Sequence, residues 1–327
     1  MTVCVKSAPK ALLILLLAKT TFKLVVEVRG DLCGAVEHTI FGSREQAVPH
    51  EHVVLVTCGD YYPGLHFNDS IGCFGVDGLL RCATYLNAVY AAEHNYTFAF
   101  YKYDSATHGV RAAIWCRVLA LRAAVVKFPG AAFLYLDLDA FVVTNMSISF
   151  AALVRTGRHR ALILDADPAL ITESEFHSMR GIQNWFESEN TDSVLISRDV
   201  INAGILFDIG PDASISAFLD FWWSIGEYWT VNGNQSSLKV YGGDQRALSI
   251  ALGLRRDVRR DVLILKTARD EAAKRRGSVD LFGGPDSQCI RHYLGGYKNS
   301  GEAQASVTDI ARAARRRMST PPGIEML

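Results

Sequence analysis

No sign of charge dominates the 327 residues: 34 Lys and Arg stand against 34 Asp and Glu. A nucleic-acid-binding surface spread over the chain is therefore excluded, because neutralising phosphates takes an excess of Lys and Arg. The seven cysteines include no Cys-x-x-Cys and no His/Cys zinc spacing, which removes the common metal-finger readings. No apolar run reaches the roughly 20 residues that span a bilayer. Internal repeats are also lacking. What is present is 49% hydrophobic residues, enough for a sizeable core, so disordered, collagen-like and small disulfide-scaffold classes fall away. The length fits one large α/β domain or two smaller ones. Charge is uneven only locally. Arg255, Arg256, Arg259, Arg260, Arg275 and Arg276 outweigh the acids between them, a pattern that reads as a solvated loop and helix face.

The front of the chain carries Lys6 and Lys10, an apolar run from Ala11 to Ala18, then Lys19, Lys23 and a second apolar patch, Leu24 to Val28. Residues 1–30 read as a signal peptide or a signal-anchor, residues 31–51 as a stem or linker. A buried strand or helix is the alternative for the apolar run. Four Asn-x-Ser/Thr triplets, at Asn68, Asn95, Asn145 and Asn234, are glycosylation acceptors if the chain enters the secretory lumen. An oxidising lumen also allows one or two disulfides, with Cys73–Cys82 the pair singled out. The odd cysteine count leaves a free thiol or an intermolecular partner.

From His52 the pattern is that of an α/β domain. His52 to Thr57 is a β-branched run that delivers the polar loop Cys58-Gly-Asp60. Gly78 to His94 has helical spacing through Leu79, Cys82, Leu86 and Val89 or Tyr90. Phe98 to Tyr103 is strand-like. Val110 to Phe128 is a helix with Ile114, Val118, Leu121 and Val125 on one stripe, stopped by Pro129-Gly130. Ala132 to Leu136 is the next strand. Beyond it, Arg160 to Leu164 is strand-like, Asp165 to Pro168 a turn, Val200 to Asp208 a strand, and Ala217 to Trp229 and Gly242 to Leu252 helices. Alternation of strands and helices with short connections predicts an α/β fold with a mostly parallel central sheet and helices on both faces. Ligands collect at the carboxyl ends of such strands. The domain is expected over residues 52–300, and 301–327 as a C-terminal tail, disordered from Ala311.

The sharpest chemistry is FLYLDLDAFVV, residues 133–143. Asp137 and Asp139, two apart at the mouth of a buried strand, project to the same side of the chain. Two close carboxylates repel unless a cation lies between them, and oxygen ligation suits Mg²⁺ or Mn²⁺, which commonly also hold substrate phosphates. Two other readings stay open: a strand-end turn with solvated aspartates, and a haloacid-dehalogenase-type phosphatase with Asp137 as nucleophile. A strand-helix-strand-helix unit ahead of the motif disfavours the phosphatase.

The ordered set VVLVTCGD, YLNAVYAAEHNYTFAFY, IWCRVLALR, KFPGAAFLYLDLDAFVV, INAGILF, WW, GGDQRAL and RHYLGGYK resembles a GT-A (Rossmann-like) glycosyltransferase using a nucleotide-sugar donor. It is most similar to glycosyltransferase family 34, the galactosyl- and xylosyltransferases, with a tail like family 8. The resemblance implies Mn²⁺ (or Mg²⁺) on Asp137 and Asp139, with His292 of the HxxGxxK pattern as a further ligand, and Gly295 and Lys298 at the donor diphosphate. It places Asn202 and Gly204 on the strand lining the sugar and acceptor, and Asp244 and Gln245 beside the reacting carbon. Gly243 stands where a second acidic residue is often seen. Arg117 falls close to the donor, and Thr57, Cys58 and Asp60 where base and ribose are held.

The aromatics Phe218, Phe221, Trp222, Trp223, Tyr228 and Trp229 read mainly as core, with one exposed member able to stack an acceptor sugar. The resemblance thus implies a metal-dependent, retaining transfer of a hexose or pentose from a UDP-sugar to a hydroxyl of a glycan or glycoconjugate. The catalytic domain is expected in the lumen of the secretory pathway, at the Golgi membrane, with anchoring through the N-terminus if residues 1–30 are a signal-anchor rather than a cleaved signal peptide, and without a nucleic-acid partner. A catalytically silent glycan-binding relative is the rival within the same fold.

Overall fold

The computed structural model describes residues 52–65, 67, 72–104, 106, 113–143, 163–170, 199–208, 212–231, 243–255, 264–265, 290–292, 301–318 and 322–327. The expected signal and stem segments, 1–51, lie outside them, as do most of the Arg255 to Arg276 run and three of the four glycosylation triplets. Asn95, the fourth, is exposed in the turn that closes the first helix, at φ 58°. Among the described residues no helix is long and apolar enough to cross a membrane.

A seven-stranded sheet forms the centre, in the order β7-β5-β6-β3-β1-β2-β9. Its strands are β1 (Val53–Gly59), β2 (Thr97–Lys102), β3 (Ala132–Leu136), β5 (Ile163–Leu170), β6 (Asp199–Asp208), β7 (Ile264–Leu265) and β9 (Glu325–Met326). Pairs β1/β2, β1/β3, β2/β9 and β5/β7 are parallel, whereas β6 runs antiparallel to both β3 and β5. The helices are α1 (Gly75–Glu93), α2 (Cys116–Lys127), α3 (Asp212–Val231), α4 (Gly243–Leu254) and α5 (Gly301–Arg317), with a 3-10 turn, Ala113–Trp115, leading into α2. The α/β fold with a mostly parallel sheet is as the sequence predicts.

β1 and β3 are buried along their whole length, the mark of a strand covered on both faces. Val54, Val56 and Cys58 of β1 and Phe133 and Tyr135 of β3 pack with α2, α3 and α4. Alternation turns the intervening residues to the opposite face, where α1 contacts β1 and β2. Each fully buried Val, Leu or Phe in these layers contributes roughly 1.5–3 kcal/mol. Phe218 and Trp222 of α3 are core, with Phe221 and Trp223 partly buried against it. The side chains of Tyr228 and Trp229 lie outside the described residues. Pro129-Gly130 does end α2, with Gly130 at φ 78° turning the chain into β3.

Two expectations are corrected. The segment read as a disordered tail folds: α5 packs on α1 through Val307, Ala311 and Ala314, and β9 pairs with β2 at the sheet edge. Its small apolar residues, spaced among arginines, are a helix stripe shielded by α1, so α1 is buried on two sides from Cys82 to Ala91. Asp165 to Pro168 is not a turn but continues β5, whose pairing with β6 shifts register between Leu164 and Asp165 and again between Asp167 and Leu170. Such irregularities accommodate a proline that has no N–H to give the ladder.

Both disulfides of the described residues staple the start of a helix. Cys73–Cys82, the expected pair, closes the first turns of α1; Cys58–Cys116, not foreseen, ties the end of β1 to the start of α2. A separate two-stranded ribbon, β4 (Ala140–Val142) with β8 (Ile290–His292), follows the Asp137–Asp139 turn. Its outer edge is finished by one side chain of α1: Asn87 donates to the Ala140 carbonyl at 2.9 Å and accepts from the Val142 N–H at 3.0 Å.

Asn87 is buried, so replacing it by Ala strands two buried backbone groups. Asn87→Ala is expected to cost about 2 kcal/mol in urea unfolding, whereas a loss below about 0.5 kcal/mol, the ordinary scatter of surface substitutions, would refute its bridging role.

Candidate metal centre

Because β1, β2 and β3 are parallel, their carboxyl ends share one edge of the sheet, and Asp60 and Asp137 leave the strands there. Asp137 follows the buried β3 directly, and the Ala140 N–H donates to its carbonyl at 2.9 Å, closing the turn that presents Asp139. The ribbon then supplies the third group. His292 on β8 lies opposite Ala140 on β4, so its Nε2 comes to 3.1 Å from Asp139 Oδ1 and 3.7 Å from Asp137 Oδ2. One ligand atom from each of the three side chains falls within 4.8 Å of the others. Asp139 and His292 are buried, and Asp137 is partly open. Two carboxylate oxygens and one imidazole nitrogen converging at a sheet edge form a donor set able to hold a divalent cation.

The site's electrostatics are set by burial. For His292, burial opposes the imidazolium, but the charge of Asp139, its hydrogen bond and the charge of Asp137 outweigh it, and the net shift is upward. A cation would compete with a proton for that nitrogen, since only neutral imidazole ligates. Arg117 enters from the start of α2. Its Nη2 lies 3.2 Å from Asp137 Oδ1 and 3.3 Å from Oδ2, and its Nε lies 2.9 Å from Asp244 Oδ2. The Nε–H bond itself is directed at the Ile114 carbonyl, 3.0 Å away, so the contact with Asp244 is ionic rather than an aligned hydrogen bond. Arg117 thus spans the cation ligand and the first turn of α4.

Asp244 is fully buried, and among the described residues neither carboxylate oxygen completes a well-aligned hydrogen bond, although the amides of its own helix start lie close enough to act on its charge. Desolvation is the largest influence on it and raises its pKa; Arg117 lowers it, Asp137 raises it, and the helix-start amides of Gln245 and Asp244 lower it, for a value of about 6. Gln245 beside it is buried too. Trp222 Nε1 donates to the Asp244 carbonyl at 2.9 Å, tying α4 to α3.

The remaining expected residues divide. Thr57 and Cys58 are buried at the end of β1, Thr57 Oγ1 without a hydrogen-bond partner among the described residues, and Asp60 is exposed. Cys58 is committed to its disulfide with Cys116. Asn202 and Gly204 sit on β6, where Asn202 pairs with Asp165 of β5; their side-chain surroundings lie outside the described residues, as do Gly295 and Lys298 altogether. Tyr135 was not anticipated. Its hydroxyl donates to Asp137 Oδ1 at 2.9 Å, and the i, i+2 spacing on β3 is the sequence signal that links the two.

The Asp244 shift has a checkable sign. A carboxyl raised in the folded state binds more protons folded than unfolded between its two pKa values, so its contribution is full below about 4 and is lost as pH rises through about 6. In metal-free protein, the difference in stability between wild type and Asp244→Asn is expected to move against wild type across that window; a difference independent of pH would contradict the assignment.

No curated protein matches the chain. Among solved structures, the crystal structure of a glycosyltransferase involved in the glycosylation of the major capsid of PBCV-1 is similar at 14% identity, covering 78% of this chain and 99% of that one, with a TM-score of 0.45. The model of the galactosyl transferase GMA12/MNN10 family matches residues 83–305, a span that includes Arg117, Asp137, Asp139, Asp244 and His292. That match sets aside the phosphatase alternative. The chain belongs to the galactosyl transferase GMA12/MNN10 family, glycosyltransferase family 34, and is a glycosyltransferase.

Proposed function

We propose that the chain transfers a hexose or pentose from a UDP-sugar to a hydroxyl of a glycan or glycoconjugate, with a divalent cation, Mn²⁺ or Mg²⁺, held by Asp137, Asp139 and His292. The observation that carries the reading is the convergence of those three side chains within 4.8 Å at the carboxyl edge of the sheet, in a chain whose family transfers glycosyl groups. A bound cation supplies positive charge opposite the departing diphosphate. The imidazole among the ligands favours Mn²⁺ over Mg²⁺.

The chain's own groups take the other tasks. Arg117, already between Asp137 and Asp244, lends charge on the diphosphate side of the site. Asp244, with Gln245 next to it and Asn202 on β6, is assigned to the sugar side by the family resemblance. Thr57 and Cys58 offer backbone groups to the base, and exposed Asp60 offers a carboxylate to the ribose. Gly295 and Lys298 are assigned to the diphosphate by the HxxGxxK pattern. Retention of anomeric configuration is the expected outcome, with a leaving phosphate oxygen rather than a protein carboxylate taking the acceptor proton. The two disulfides support an oxidising compartment, in keeping with a lumenal domain at the Golgi membrane.

UDP release with Mn²⁺, measured over a panel of UDP-glucose, UDP-galactose and UDP-xylose, tests the reading. Asp139→Ala and His292→Ala are expected to lower it about 100-fold or more, the scale on which lost electrostatic stabilisation is felt. Full release in either variant would overturn the cation assignment. Wild-type protein releasing UDP from none of the three would overturn the donor assignment.

A further inference from the structure

We infer that Tyr135 is a positioning residue for the cation site, orienting Asp137 through its hydroxyl. Resting on the cation site proposed above, the inference starts from the strand. Residues i and i+2 of β3 face the same way, so Asp137, although past the last strand residue, continues the row that begins at Phe133 and Tyr135. Tyr135 is 1% exposed, whereas the Asp137 side chain is 19% exposed at the mouth of the site. A partly open carboxylate on a turn has several rotamers available, and a fixed donor behind it selects among them.

The proton in that contact can be assigned by elimination. The Tyr135 hydroxyl lies 2.9 Å from Asp137 Oδ1 and 3.2 Å from Cys58 Sγ. Cys58 is disulfide-bonded to Cys116, so its sulfur has no hydrogen to give and is a weak acceptor. The only hydrogen among the three atoms belongs to the tyrosine, and the charged carboxylate is the stronger acceptor. Tyr135 therefore donates to Asp137.

The same disulfide fixes the neighbourhood. It joins the end of β1 to Cys116, and the next residue, Arg117, lies 5.8 Å above the Tyr135 ring while its Nη2 reaches both oxygens of Asp137. Asp137 is thus gripped from one side by a neutral donor and a cationic one, both anchored to the buried sheet. Partners of this kind, behind a metal ligand, typically govern metal affinity by about 10- to 100-fold. The other carboxylate is held differently, by the ribbon through His292.

Tyr135→Phe deletes the hydroxyl and keeps the ring. Binding of Mn²⁺ alone, followed by electron paramagnetic resonance on the full chain, is expected to weaken about tenfold, with the melting temperature of metal-free protein within about 2 °C of wild type, a shift on the scale of a small stability change. An unchanged Mn²⁺ affinity in Tyr135→Phe overturns the inference while leaving the cation site standing. Absence of Mn²⁺ binding to wild type overturns the site itself, and with it this role. Should Tyr135→Phe lack a cooperative melt, Tyr135→Met, which fills the space adaptably, is read by the same two outcomes.

Discussion

Mutual repulsion among carboxylates is the constraint around which this fold is arranged. Asp137, Asp139 and Asp244 are gathered at one edge of a buried sheet, where the apolar surroundings give their charges little water to lean on. Two cationic or protonatable groups answer them. Arg117 lies between Asp137 and Asp244, and His292 lies against Asp139 and close to Asp137. Three carboxylates meeting at one place favour positive charge between them. Burial, with Asp137 adding to it, raises Asp244 to about 6, and the charges of Asp139 and Asp137 raise His292 against its own burial.

The scaffold explains how such a cluster is tolerated. The five members come from four parts of the fold, so no local segment carries the strain alone: Asp137 and Asp139 follow β3, Asp244 and Arg117 lie in the first turns of α4 and α2, and His292 sits on β8. Helix starts favour a carboxylate such as Asp244. Covalent and polar staples hold the parts in register. The Cys58–Cys116 bridge fastens the start of α2 to the end of β1, and Asn87 fastens the ribbon to α1. A site distributed over sheet, helix starts and ribbon is rigid where each contributor is rigid.

Much of this was legible in the residues, for physical reasons that differ from element to element. The β-branched run at His52 to Thr57 and the apolar stripe ending at Pro129-Gly130 carry their own structure, because periodicity and breakers act locally. The aspartate pair stands out because two acids beside a buried strand repel unless a cation lies between them, although a solvated strand-end turn fits the same residues. Family resemblance, not spacing, brought His292 to the pair, since 153 residues separate it from Asp139. What the chain concealed depends on tertiary proximity. Cys58 and Cys116 are 58 residues apart, against 9 for Cys73 and Cys82. Tyr135 and Asn87 look like ordinary core and helix positions until their partners are placed. The arginine-rich sequence after Gly301 resembles a free tail because its apolar stripe is made of alanines and a valine, and only the packing against α1 shows that these are enough.

The central claim is that Asp137, Asp139 and His292 together form one cation site. Electron spin-echo envelope modulation of Mn²⁺ bound to the full chain tests it directly, because the technique reports a nitrogen bonded to the metal. The account predicts a ¹⁴N coupling from one imidazole that disappears in His292→Gln. Mn²⁺ bound with no nitrogen coupling, or with a coupling that survives His292→Gln, would contradict it.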